Sequence, residues 1–146
     1  MIDAVPAPFL HIVCCIDDSD ASRLALDEAR RLRAIGPGRL TVLHAYSLPS
    51  AYMALAEGMS WLPNTTTYES AASAWLKSQV QDDEEAVVVE GHAGYNACQW
   101  SEANGADLMV AAAHRGLAAR VMLGSFAGYL AYHAPCSVLL VRPAEG

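Results

Sequence analysis

Five short apolar runs divide this chain, and their continuity limits the folds open to it. They are His11–Ile16, Leu40–Ala45, Ala86–Glu90, Leu108–Ala113 and Ser137–Val141. A strand with one wet face alternates apolar and polar residues, whereas these runs are apolar almost throughout. Such runs predict strands covered on both faces. The segments between them read as helices. Strands alternating with helices predict an α/β fold with a parallel sheet joined by right-handed crossovers.

The first helix is expected from about Ser19 to Ile35. Ala21, Leu24, Ala25, Ala29 and Leu32 fall on one helical stripe, with Arg23, Glu28, Arg30 and Arg31 mainly elsewhere. Asp18 or Ser19 can cap its start, and Gly36-Pro37-Gly38 stops it. A second helix is expected over Tyr68–Gln81, followed by the acidic run Asp82–Glu85, which reads as a solvated turn. A third spans roughly Gly94 to Asn104, with Gly105 as its stop. A fourth begins at Ser125 and ends near His133, before Pro135. Residues 47–67 are the least regular stretch: Pro49, Gly58 and Pro63 stand among Tyr52, Met53, Leu55, Met59, Trp61 and Leu62. A short helix is expected there around Ala51–Glu57. A connection this long either packs on the sheet edge or forms a lid or partner surface.

The length of 146 residues fits one domain, 1–146, large enough to bury a core without staples. With 53% hydrophobic and 17% charged residues, the chain is too apolar to be disordered. No apolar run reaches the ~18–20 residues of a membrane helix. Met1–Leu10 has neither the basic start nor the apolar middle of a secretion signal, so a soluble, cytoplasmic protein with no membrane partner is expected. The net charge is −7 and the nine Lys and Arg form no block, which disfavours nucleic acid as a partner. A small anion remains open, because backbone amides bind phosphate without side-chain charge. Cys14, Cys15, Cys98 and Cys136 have no CxxC spacing and read as buried, reduced thiols; Cys14 and Cys15 should point to opposite faces of their strand.

Open parallel sheets bind ligands beyond the C-terminal strand ends, where the strand order reverses. After the first run comes Asp17-Asp18-Ser19, after the second Ala45-Tyr46, after the third Gly91-His92-Ala93-Gly94. After the fourth comes His114-Arg115-Gly116, then a loop to Gly124-Ser125. Gly124-Ser125 opens a helix whose first N–H groups are unpaired and carry the positive end of the dipole. Gly124 permits close approach of an anion, and Ser125 adds a hydroxyl. This is the recipe for a phosphate site, although Gly-Ser is also an ordinary helix start.

The order of these elements, with Leu43-His44-Ala45, Ala106-Asp107-Leu108-Met109-Val110, Leu123-Gly124-Ser125 and His133-Ala134-Pro135-Cys136-Ser137-Val138-Leu139-Leu140-Val141-Arg142, resembles the universal stress protein family over nearly the whole chain. The resemblance implies a Rossmann-like, adenine nucleotide alpha hydrolase-like domain. Its five-stranded parallel sheet would have order 3-2-1-4-5, with helices on both faces. The crevice would then open between strands 1 and 4. It further implies an adenine nucleotide, ATP or AMP with Mg²⁺, in a stress-response or signalling role. Asp17 would meet the ribose or a phosphate-bound metal, and the backbone of Ala45 would meet the adenine. Gly116, Gly124, Ser125 and Phe126 would meet the phosphates. Ala113, His114 and Arg115 belong to the same glycine-rich stretch, with Arg115 a phosphate partner.

Two departures from the nucleotide-binding pattern stand out. Ala113 replaces the first glycine of Gly-x-x-Gly, and the spacer Leu117–Leu123, seven residues long, is two residues short of the family pattern. Asp18 stands where many members have glycine. An alternative follows: a member that binds no nucleotide and serves as a dimeric protein-interaction module. No general base or activated nucleophile is evident, so any ATPase activity would be slow. Gly124-Ser125-Phe126-Ala127-Gly128 lacks the Gly-x-Ser-x-Gly spacing of a hydrolase elbow. The histidines show no metal spacing; His114 is the one best placed for function. Phe126, Tyr129 and Tyr132 read as core or interface. The apolar strand Ser137–Val141 would lie at a sheet edge, and the resemblance implies a homodimer through it.

Overall fold

A computed structural model describes residues 9–48, 58, 65–113 and 124–143. Strand β1 (His11–Cys15) is followed by helix α1 (Asp20–Arg33) and strand β2 (Arg39–Tyr46). Helix α2 (Thr65–Gln79), strand β3 (Glu85–Glu90), helix α3 (Ala93–Ala103) and strand β4 (Leu108–Ala112) come next. Helix α4 (Ser125–His133) and strand β5 (Ser137–Val141) complete the order. The five strands form one parallel sheet in the order β3-β2-β1-β4-β5. Each apolar run is therefore a strand. The expected helix around Ala51–Glu57 lies outside the described residues. The Thr65–Thr67 run, which the sequence places in a loop, forms the first turn of α2.

Alternation along the strands feeds two core layers. Ile12, Cys14, Leu40, Val42, Leu108 and Val110 pack against Ala25, Leu26 and Ala29 of α1 and Leu76 of α2. Val13, Cys15, Leu43, Met109 and Ala111 pack against Ala97 and Cys98 of α3 and Leu130 of α4. β1 is buried at every position, which is why it reads as a continuous apolar run. Cys14 and Cys15 enter opposite layers, and all four thiols are free.

Two local expectations need correction. The buried face of α1 is Ser22, Ala25, Leu26 and Ala29, while Leu24 is exposed; the stripe is rotated so that Ser22 points inward. The acidic run is not merely a solvated turn, because the Glu84 side chain is fully buried. Arg30 donates to it from Nε and a terminal nitrogen, both at 2.8 Å, and also bonds the Gln79 carbonyl. A two-pronged guanidinium–carboxylate pair makes burial of the charge tolerable. Sequence spacing does not show it, since its partners lie 54 residues apart.

Gly94 brings α3 and α4 together. A β-carbon there would lie 2.5 Å from Cδ1 of Tyr129, so only glycine allows the ring to seat on the α3 backbone. Among the described residues, no helix is long and apolar enough to cross a membrane.

Candidate functional site

The site begins where two neighbouring strands part. β1 pairs with β4 as far as Cys14 opposite Val110. It stays with β2 one residue longer, and the Ile16 amide then donates to the Leu43 carbonyl at 2.9 Å. Beyond that point a crevice of about 280 Å³ opens. Cys15, Ile16, Leu43 and Ala112 form its apolar floor; Asp17, Ser22, His44, Ala45 and Ala93 border it; Gly124, Ser125, Phe126 and Ala127 form the opposite wall. The crevice lies at the reversal point of the sheet order, where α/β folds bind ligands.

The α4 wall is built for an anion. Gly124 sits at φ 80, in the left-handed region, and among the described residues no side chain caps the helix. The first helical bond runs from the Gly128 amide to the Gly124 carbonyl. The amides of Ser125, Phe126 and Ala127 therefore have no partner within the helix, and the dipole adds positive potential beside them.

The β1 wall is set by a short hydrogen-bond web. Oδ1 of Asp17 accepts from the Ser19 amide at 2.9 Å and from the Ser22 hydroxyl at 2.8 Å. The Asp17 amide donates back to Ser22 Oγ at 3.0 Å, and Ser19 Oγ accepts from the Ser22 amide as the α1 cap. The carboxylate is exposed yet held in one orientation. Ser22 was missed in the sequence. Its signal was its place, five residues after Asp17, on a helix turn that faces inward.

His44 and Ala93 also border the crevice without having been singled out for it. The His44 ring packs on Trp75 with centroids 4.6 Å apart, and its Nδ1 donates to the Ile16 carbonyl at 2.9 Å. Ala93 begins α3, whose cap is the ring of His92: its Nδ1 accepts from the Tyr95 amide at 2.9 Å. Burial and the neighbouring Cys98 and Cys136 push the Cys15 thiol up to about 12, so it stays a neutral part of the floor.

Of the positions expected from the sequence, Asp17, Ala45, Gly124, Ser125 and Phe126 meet at this crevice. Ala113 does not line it. It is 1% exposed and extends β4, its amide donating to the Val141 carbonyl at 2.9 Å. His114, Arg115 and Gly116 lie outside the described residues. Among the described residues no cluster of three or more His, Cys, Asp or Glu could hold a metal ion.

Comparison with known proteins bears on this arrangement. The profile of the universal stress protein family matches residues 8–142. The chain belongs to that family. No curated protein matches it. Among solved structures, the universal stress protein UspA from Lactobacillus plantarum superposes with a TM-score of 0.72 at 21% identity, covering 95% of this chain and all of that one. A universal stress protein in complex with cAMP has a TM-score of 0.62 at 25% identity, covering 91% of this chain and 97% of the other. A family member from Arabidopsis thaliana with AMP bound has a TM-score of 0.63 at 14% identity, covering 92% of each chain. The sheet order and the helical layers are those of a universal stress protein fold, and structures of the family include complexes with adenine nucleotides.

Proposed function

We propose that this universal stress protein domain binds an adenine nucleotide, ATP or AMP with Mg²⁺, in the crevice between β1 and β4. It acts in stress response or signalling, in the cytoplasm, by occupancy rather than by fast turnover. One observation carries the reading: the bare amide end of α4, opened by Gly124, faces the same crevice that Asp17 borders from β1. The amides suit phosphate oxygens and the fixed carboxylate suits ribose hydroxyls. A Mg²⁺ ion fits as a guest of the ligand, since Asp17 can supply one carboxylate while phosphates and waters fill the other positions. Ala45 would border the base. Phe126 would close the wall at the phosphate end. His114, Arg115 and Gly116 would complete the site from the loop. The cAMP and AMP complexes of structural relatives support this ligand class.

Calorimetric titration with ATP·Mg²⁺ and with AMP tests the proposal. Saturable heat is expected, and the absence of heat at millimolar ligand overturns it. The buried position of Ala113 favours the nucleotide reading over the interaction-module alternative, because its methyl group is not part of the crevice wall. A nucleotide carried through purification and identified by mass spectrometry would count against that alternative.

We further propose that residues 1–146 form a single domain that pairs with a second copy through β5. Among the described residues that strand bonds only to β4 and keeps Val138–Val141 half-buried, leaving an apolar edge that a partner strand would cover. Light scattering should give twice the chain mass.

A further inference from the structure

We propose that His92 is a pH-sensitive cap that holds the α3 side of the crevice in place at neutral pH and releases it in mild acid. Nδ1 of His92 accepts a hydrogen bond from the Tyr95 amide at 2.9 Å. An amide can only donate, so Nδ1 carries no hydrogen and the neutral ring keeps its hydrogen on Nε2. The first bond of α3 runs from the Asn96 amide to the His92 carbonyl. The Tyr95 amide therefore has no partner within the helix, and the imidazole supplies one. Gly91 and Gly94 flank the capping position, so the backbone of this turn has little stiffness of its own.

Protonation puts a hydrogen on Nδ1 and sets two N–H groups against each other. The cap is then lost, and the positive end of the α3 dipole adds to the mismatch. Histidine is the side chain that makes this change between neutral and mildly acid pH. His92 is exposed, so a proton reaches it without any opening of the fold. Tyr129 of α4 packs on its ring with centroids 5.1 Å apart, and His133 packs on Tyr129 in turn at 4.3 Å. A charged imidazole keeps a favourable place against the Tyr129 ring, so what gives way is the bond to Tyr95. Glu90 ends β3 two residues before His92; Nδ2 of Asn96 donates to its carbonyl at 3.1 Å and to that of His92 at 2.9 Å. Those two bonds do not depend on pH, which confines the release to the first turn of α3. That turn meets the crevice at two points. Ala93 borders it, and the Gly94 backbone seats Tyr129 of α4, the helix whose first amides form the opposite wall.

The test is NMR on the full, ligand-free chain from about pH 8 to about pH 5.5, for the wild type and for His92→Asn. Asparagine is a strong helix cap that does not titrate. In the wild type the Tyr95 amide signal should move together with the His92 ring signals, and its protection from solvent exchange should fall about fivefold. In His92→Asn the same amide should stay constant. A wild-type Tyr95 signal that stays still while the His92 ring titrates overturns the inference. So does a signal that moves equally in His92→Asn, which would assign the change to His133 or another group. The link to the crevice rests on the nucleotide reading and is read from AMP affinity. The affinity of His92→Asn relative to wild type should be near one at about pH 8 and rise to about fivefold at about pH 5.5, a ratio that cancels the titration of the AMP phosphate itself. A flat ratio overturns the link. If neither protein binds AMP at any pH, the nucleotide reading fails, while the Tyr95 signal still decides the cap.

Discussion

Gly94 and Tyr129 stand so close that a β-carbon on the first would lie 2.5 Å from the ring of the second. Helix α3 carries a glycine in its first turn because the aromatic ring of α4 occupies the space a side chain needs. Gly94→Ala sets two effects against each other. Alanine improves helix propensity by about 1 kcal/mol, whereas overpacking costs about 1–3 kcal/mol. We expect a net loss of about 1 kcal/mol, read as a lower melting temperature. Adding Tyr129→Leu to Gly94→Ala should recover part of it, giving a non-additive double-mutant cycle.

Arg30 and Glu84 give a larger effect. Arg30→Ala leaves a fully buried carboxylate without its cation, which costs about 3–5 kcal/mol in such pairs. Urea denaturation should show a lower midpoint. The pair also sets a pH trend. Burial raises the Glu84 carboxyl, but hydrogen bonds from Arg30 and the Gln81 amide outweigh it, and the net shift is downward. A lowered carboxyl stabilises the fold above its unfolded pKa, and that contribution is lost as the pH falls through the folded value. Acid should unfold the wild type at a higher pH than it unfolds a variant in which Arg30 and Glu84 are replaced together by Met and Leu.

His11 adds a second pH step nearer neutrality. The residue is 4% exposed; Nε2 contacts Thr41 Oγ1 at 2.8 Å and Nδ1 contacts the Asn104 carbonyl at 3.0 Å. Burial lowers the imidazole below its ordinary range, the Asn104 carbonyl pulls it up, and the Arg39 charge pushes it down again; the net shift is downward. The folded chain prefers the neutral ring, while the unfolded chain takes a proton near about 6.5. Stability is therefore complete above that value and falls as the pH drops through it toward the folded pKa. Urea midpoints measured from about pH 8 to about pH 5 should slope for the wild type and flatten in His11→Gln.

At the crevice, Gly124 and Ser22 separate contact from support. Gly124→Ala forces a side chain into the left-handed region at a cost of about 1–2 kcal/mol and sets a methyl group beside the open amides. Nucleotide affinity should fall at least about tenfold, equivalent to about 1.4 kcal/mol. Ser22→Ala removes the hydroxyl that holds Asp17 without removing the carboxylate. It should weaken binding less than Asp17→Ala does, and calorimetry on the three variants should rank them accordingly.

The strands were legible in the sequence because both faces of this sheet are covered. The run His11–Ile16 contains β1 and overshoots it by one residue, and it is continuous because every residue of β1 is buried. β5 was recovered to its end residues although its edge is open, because Ser137 and Pro135 mark its start and Val141 its finish. The tilt of α1 was harder to read. Its inward face includes Ser22, a polar residue that periodicity assigns to water, and it leaves out Leu24. Burial of Ser22 follows from its bonds to Asp17, which a hydropathy pattern does not contain.

The site was legible where a local rule sufficed. Glycine followed by serine at a helix start is such a rule, and so is a carboxylate just past a strand. His44 escaped because its place depends on the Ile16 carbonyl and on Trp75, 31 residues further along the chain. Ala113 is expected at the site from its place in a motif, and the bond from its amide to the Val141 carbonyl, just past β4, is not something a motif contains.

The adjacent thiols of β1 have a practical use. Cys14 and Cys15 point into opposite layers of the central strand, and burial raises both above the range in which a thiolate forms readily. An alkylating reagent can reach neither until the strand between them leaves the sheet, and it then reaches both. The rate at which this pair is labelled is a built-in clock for opening of the whole molecule, with no engineered probe required.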